Sequence, residues 1–298
     1  PDSSSWTIMM ETPADAKSIK NFLLVDLDRD FDRALSDIKS PALLRDRDGD
    51  RKIVKDVSGQ QRWFDTDADV VAWSETGVAL FRNHLNEDGT RSLLPMPQTA
   101  TVKGINDVVA ADLEADGDLD LVFGTESGIE LWKNLNDGES FEPIISGLSL
   151  PQHKIVSLAI ADFNRDLAMD IVGISGDGKA GYLQNILHGR FRWIDGLPVA
   201  ANAVDFVIDE CNNDGNWDVI TAGPTGVSIV LPKHSTEFND ANVQKLSNAA
   251  ASTIHRADLD NDGRSDFVAI GSAGLAFLRG IGNGKIEDQT VLLPAGIS

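Results

Sequence analysis

The sequence predicts an all-β fold, a β-propeller of four-stranded blades, and three observations carry the prediction. Acidic loops recur at a fixed period, short apolar runs flank each of them, and no stretch shows sustained helical periodicity. One four-stranded sheet cannot bury both faces alone, so such units are expected to stack around a common axis. Six repeats of about 48 residues fill nearly the whole chain, giving six blades in one domain over residues 1–298. Seven blades is the alternative, with one divergent or cut off after Val291–Ala295.

In chain order, Trp6–Met10 matches the outer-strand segment Phe141–Ile145. It is expected to complete the last blade, because an open sheet edge invites aggregation. Phe22–Val25 leads into a loop, Asp26-Leu-Asp28-Arg-Asp30, whose fourth ligand position falls on Ala34. A second copy, aligned back from Asp69, has Trp63 and Gln61 in place of ligands and is expected to bind nothing. Four full copies follow: Asp112, Glu114, Asp116, Asp120; then Asp162, Asn164, Asp166, Asp170; then Glu210, Asn212, Asp214, Asp218; then Asp258, Asp260, Asp262, Asp266. Each places oxygen ligands at positions 1, 3, 5 and 9, and the starts lie 50, 48 and 48 residues apart.

The run after each fourth ligand, such as Leu121–Gly124 or Val219–Ala222, is short, apolar and rich in β-branched residues, which reads as a buried strand. A glycine then opens a second strand, as at Gly77, Gly128 and Gly274, and a polar turn such as Asn136-Asp137-Gly138 or Asp88-Gly89 ends it. An aromatic residue beyond the turn (Phe141, Phe191, Phe238) marks the outer strand, and Ser157–Ile160 typifies the run that leads into a loop. Pro13–Lys20 and Asn239–Ala250 have room for a helical turn but read better as loops. Trp132 and Trp193 are expected to pack between blades, and Trp63 is a candidate sugar-stacking platform.

Carboxylates alternating at positions 1, 3 and 5 turn several oxygens inward where the backbone curls tightly. Glycine at position 6 permits the curl, and the position-9 aspartate closes the cage from the next strand. Hard oxygen donors of this kind suit Ca²⁺. An EF-hand is excluded, because position 12 is Phe123, Gly173, Thr221 or Ala269 where that motif needs Glu. With the Asp26 loop counted as the weakest, about five Ca²⁺ ions are expected. Without them the carboxylates repel one another.

These Asp-x-Asp/Asn-x-Asp-Gly-x-x-Asp loops, followed by Gly-x-x-Leu-x-x-Asn strands, resemble FG-GAP/VCBS repeats over residues 22–288. The resemblance implies a propeller like that of the integrin α-subunit head. Val25–Asp32 is most similar to the bacterial cartilage-acidic-protein group, although the ASPIC/UnbV segment often found there is not visible. Loop charge and resemblance together imply calcium affinities of about 10⁻⁴–10⁻³ M, and hence an extracellular, periplasmic or secreted setting.

A net charge of −21 argues against nucleic acid, whose phosphates it repels. No apolar run reaches the ~20 residues of a membrane-spanning helix. Cys211 is the single cysteine, which excludes an internal disulfide or a cysteine zinc site, and at position 2 of its loop it points away from an ion. His84, His153, His188, His234 and His255 form no metal-ligand pair, and no nucleophile elbow, phosphate loop or zincin motif occurs. Arg47-Asp48-Gly49 is a turn, not an adhesion tripeptide, and Pro1 in place of Met points to a processed or excised piece. The expected function is a non-catalytic module binding protein or glycan with calcium as a brace. A lectin and a lyase- or dehydratase-type enzyme are the alternatives.

Overall fold

The structure is a computed structural model that describes residues 19–27, 52–55, 61–64, 68–85, 91–96, 101–135, 138, 140–144, 148–187, 190–232, 242–272 and 274–290. Its strands are β1 (Asn21–Val25), β2 (Lys52–Lys55), β3 (Gln61–Phe64), β4 (Asp69–Ser74), β5 (Gly77–Leu85), β6 (Arg91–Pro95), β7 (Ile105–Ala111) and β8 (Asp120–Thr125). Next come β9 (Gly128–Leu135), β10 (Ser140–Pro143), β11 (Leu148–Ser149), β12 (Ile155–Ala161), β13 (Asp170–Ser175), β14 (Ala180–Asn185), β15 (Phe191–Leu197) and β16 (Asp205–Asp209). The last are β17 (Asp218–Gly223), β18 (Gly226–Leu231), β19 (Asn242–Ser247), β20 (Thr253–Ala257), β21 (Asp266–Gly271), β22 (Gly274–Gly282) and β23 (Lys285–Asp288).

They assemble as β1-β4-β5-β6, β10-β9-β8-β7, β11-β15-β14-β13-β12, β16-β17-β18-β19 and β20-β21-β22-β23, with β2-β3 as a hairpin. The short β11 adds to β15 in parallel. Three of the four runs expected to be buried strands are buried throughout, as β8, β13 and β17, whereas Ile270 in β21 is exposed. Gly226 shows why glycine opens the next strand. Its φ is +115°, and a Cβ there would lie 2.1 Å from the Ser247 carbonyl oxygen.

Among the described residues no closed six-bladed propeller forms. The described residues make five sheets of four or more strands, each open at both edges, and no strand passes from the first sheet to the last. The expected propeller with its calcium-binding core, and the seven-bladed alternative with it, are therefore corrected to five sheets in sequence. The miscount has a physical origin. β1 pairs antiparallel with β4, from Asn21 opposite Trp73 to Val25 opposite Asp69, so the two predicted N-terminal repeats are one unit. An insertion carrying the β2-β3 hairpin splits it. The last sheet draws all four strands from residues 253–288, and Trp6–Met10 lies outside the described residues. Asn239–Ala250, read as a loop, contains β19, whose Lys245 and Gln244 pair with Ser228 and Ile229.

The chain divides into two compact units. In the first (residues 1–105, 110–122 and 130–144), Leu27, Val71, Leu113, Leu121, Trp132 and Phe141 are buried. In the second (residues 106–109, 123–129 and 145–298), one cluster joins Phe163, Val172 and Tyr182 to Phe206, Val219 and Val230. Another joins Ile220 and Ile229 to Ile254, Phe267 and Leu278. Asp205, which opens β16, ties it to β12 and β20, accepting from Ser157 Oγ at 2.7 Å and from the Ile254 N–H at 2.8 Å. Among the described residues no helix is long and apolar enough to cross a membrane.

Candidate metal-binding loops

The position-9 aspartate is the keystone of each loop. Asp120 Oδ2 accepts the N–H of Leu113 at 3.0 Å and Oδ1 that of Asn134 at 2.9 Å, tying the loop to the following strand. Asp170 does the same with Phe163 (3.1 Å) and Asn185 (2.8 Å), and Asp266 with Leu259 and Gly280 (both 2.9 Å). Asp69 takes the N–H groups of Leu27 and Asn83, both at 2.8 Å. It is the missing fourth position of the Asp26 loop, which therefore does not fall on Ala34. Asp28 and Asp30 lie outside the described residues.

Position 1 organises the curl. Asp112 accepts the N–H groups of Asp116 and Gly117, Asp162 those of Asp166 and Leu167, and Asp258 those of Asp262 and Gly263. Glu210 accepts that of Gly215. The curl puts position 4 in the left-handed region every time, at Ala115, Arg165, Asn213 and Asn261. Position 6 is left-handed too, held by Gly117, Gly215 and Gly263, but by Leu167 in the Asp162 loop. The result gathers carboxylates: one oxygen each of Asp258, Asp260 and Asp262 lies within 4.8 Å of the others.

Basic side chains answer that charge in two loops. Lys133 Nζ contacts Glu114 and lies 3.2 Å from Asp116. Arg279 reaches Asp260 at 2.6 Å and Asp262 at 3.6 Å, while Arg264 meets Asp262 at 2.9 Å. Asn212 and Asn164 soften the other two loops, each donating its amide to the position-5 aspartate.

Asp218 breaks the keystone pattern. Its Oδ2 accepts the Cys211 N–H at 2.8 Å, but the buried Oδ1 has no partner. The residue in register with Asn83, Asn134 and Gly280 is Pro232, which carries no N–H. Burial pushes the carboxyl of Asp218 up to about 7, reinforced by the charges of Asp214 and Glu210. Burial likewise raises Asp120 to about 7 and Asp170 to about 6, against the opposing pull of their backbone donors. The Cys211 thiol is pushed up by burial and by Asp209, which disfavours its thiolate.

A cleft of about 1010 Å³ lies apart from these loops, lined by His153, Lys154, Asp177, Lys179, Trp193 and Asp195 among others. Trp193 packs across Gly181, where a Cβ would come within 2.6 Å of the indole. The same side chain also lines the cleft. Its Nε1–H donates to Asp195 at 2.6 Å, and His153 meets it edge-on with centroids 6.3 Å apart. The side chain of Trp63 lies outside the described residues.

The sequence reading missed Asp69 as a keystone, the loop cations Lys133 and Arg279, and Trp217. Trp217 donates its indole N–H to the Asp162 carbonyl at 2.6 Å, under the Arg165 guanidinium 5.5 Å away. The signal was present as a basic residue just before the turn asparagine or glycine, at Arg82, Lys133 and Arg279.

The FG-GAP-like repeat family model matches residues 112–173. No curated protein matches the chain. Among solved structures, an Agrocybe aegerita lectin that recognises non-reducing terminal N-acetylglucosamine is 19% identical, with 80% of this chain and 65% of that chain covered and a TM-score of 0.48. The Photorhabdus luminescens Tc holotoxin pore is 16% identical, over 93% of this chain and 13% of that chain, at 0.40. BBS1N from its complex with ARL6DN is 13% identical, over 82% and 88%, at 0.42. These scores are too low to fix a fold. They accompany what the strands establish directly, a repeat-containing all-β chain.

Proposed function

We propose that the chain is a non-catalytic interaction domain whose acidic loops bind divalent cations, Ca²⁺ being favoured by the hardness of their oxygens. The observation that carries this is the convergence of Asp258, Asp260 and Asp262, with the same loop plan at Asp112, Asp162 and Glu210. Positions 1, 3, 5 and 9 would hold the ion, and the ion would neutralise carboxylates that otherwise repel. Up to five ions are proposed if Asp28 and Asp30 complete the Asp26 loop. Weak sites of this kind suit a calcium-rich extracellular or periplasmic setting. Calorimetry on chelator-treated protein tests it: calcium uptake with a raised melting temperature is expected, and no heat at millimolar Ca²⁺ overturns it.

The partner class is protein or glycan, and the Trp193 cleft favours glycan. An indole beside the carboxylates of Asp195 and Asp177 offers an apolar face and hydroxyl acceptors together. A glycan array with the native protein and Trp193→Ala tests this. Retention of binding by the variant overturns the assignment.

A further inference from the structure

The first and second residues after each keystone aspartate point to opposite faces of their sheet, as strand alternation requires. In the second unit this sorts the faces. Val172, second after Asp170, shares a buried cluster with Val219, first after Asp218. Ile220, second after Asp218, shares another with Phe267, first after Asp266. Each of these contacts therefore joins the second-residue face of the earlier sheet to the first-residue face of the later one.

One face of each kind is left over among the described residues. In the first sheet the first residue after the keystone is Val70, whose cross-strand partners are Leu24 and Phe81. Phe22 and Leu24 on that face are each 57% exposed, and Val70 and Phe81 are half-buried, while Val71 on the other face is fully buried. In the last sheet the second residue is Val268, paired with Phe277, and Ile270 on the same face pairs with Leu275. Ile270 is 45% exposed and the other three are half-buried, whereas Phe267 and Leu278 on the opposite face are fully buried. In the three sheets of intervening sequence, β8, β13 and β17 are buried at every residue. Contiguous apolar surface of this kind marks an interaction site.

We propose that a second copy of the chain covers these faces head to tail, the first sheet of one copy packing on the last sheet of the next. The occupant is a second copy because each open face is of the kind that mates with the other inside this chain, and every copy carries both. Unlike surfaces meet, so the contact is heterologous and a third copy can add. Each copy has a net charge of −21, which opposes association, so salt strengthens it by screening.

Sedimentation velocity of the full chain, across concentration and salt, tests it, and a mass that rises with both is expected. Phe22→Glu with Leu24→Glu blocks the first-sheet face, and Ile270→Glu blocks the last-sheet face, all at exposed positions. Each variant alone should lose assembly and stay monomeric. An equimolar mixture should form a one-to-one dimer and nothing larger, since each variant keeps the face that the other has lost. A native chain that stays monomeric at high micromolar concentration overturns the second copy as occupant and leaves the faces to a different partner. Assembly by either variant alone, or a mixture that stays monomeric beside an assembling native chain, overturns the head-to-tail pairing. If circular dichroism shows that a glutamate variant misfolds, Phe22→Ser with Leu24→Ser and Ile270→Ser take its place under the same outcomes.

Discussion

The N–H of Leu27 donates to the carboxylate of Asp69, 42 residues further along the chain, at 2.8 Å. This bond makes one unit of two segments that look like separate repeats. Asp69 is fully buried and also accepts from Asn83, so it holds the start and end of the first sheet's loop at once. Asp69→Ala leaves two backbone N–H groups without their acceptor, and a loss of about 2–4 kcal/mol is expected by denaturant titration. Asp69→Asn, which keeps one acceptor oxygen, should lose less. Equal losses would show that the cavity, not the hydrogen bonds, sets the cost.

The same bond shows what the sequence could and could not reveal. The strands were legible because β8, β13 and β17 are continuous apolar runs of β-branched residues, the pattern of a strand buried on both faces. The loops were legible because the ligand types recur in phase at Asp112, Asp162, Glu210 and Asp258. The first unit was not, because a periodic count assumes a constant spacing and an insertion carrying β2-β3 moves Asp69 far from Asp26. Closure of the sheets was not legible either, since a period fixes the unit but not how many units form or whether the last meets the first. The basic residue at Lys133 and Arg279 reads as an ordinary surface charge until the strand register brings it over the loop.

Gly226 separates a local requirement from a packing one. At φ +115°, with the Ser247 oxygen 2.1 Å from a would-be Cβ, alanine must displace backbone, not a flexible side chain. Gly226→Ala should therefore cost more than 2 kcal/mol, roughly, whereas Gly215→Ala meets nothing within 4 Å and is expected to cost about 1 kcal/mol from its positive φ alone. Equilibrium unfolding of the two variants checks the order.

Buried keystones make stability depend on pH. The folded carboxyls of Asp120 and Asp218 titrate at about 7 and Asp170 at about 6, above the ordinary aspartate value of about 4. Between those limits the folded state keeps protons that the unfolded state has released, so the contribution of these three groups to stability falls as pH rises from about 4 through about 7. Chelator-treated protein should melt at a lower temperature at pH 7.5 than at pH 5. Millimolar Ca²⁺ should shrink that difference, because a bound cation favours the ionised form. A melting temperature that rises with pH in the chelated protein would contradict the burial argument.

Leu167 offers the opposite experiment, a substitution expected to stabilise. It stands at position 6 of the Asp162 loop with φ +73°, where Gly117, Gly215 and Gly263 stand in the others. Its side chain is 93% exposed, so almost no burial compensates a left-handed backbone that a γ-branched residue adopts at a cost of about 1–2 kcal/mol. Glycine removes that strain but adds freedom to the unfolded chain, an opposing effect of about 0.4–1 kcal/mol. The balance favours Leu167→Gly by roughly 0.5–1 kcal/mol. The N–H of residue 167 keeps its bond to Asp162 Oδ2, so the loop's curl is unchanged. Differential melting in chelator reads the backbone effect alone. A lower melting temperature for Leu167→Gly would mean that the exposed leucine makes a contact worth more than its strain, and would point to a partner surface on that loop.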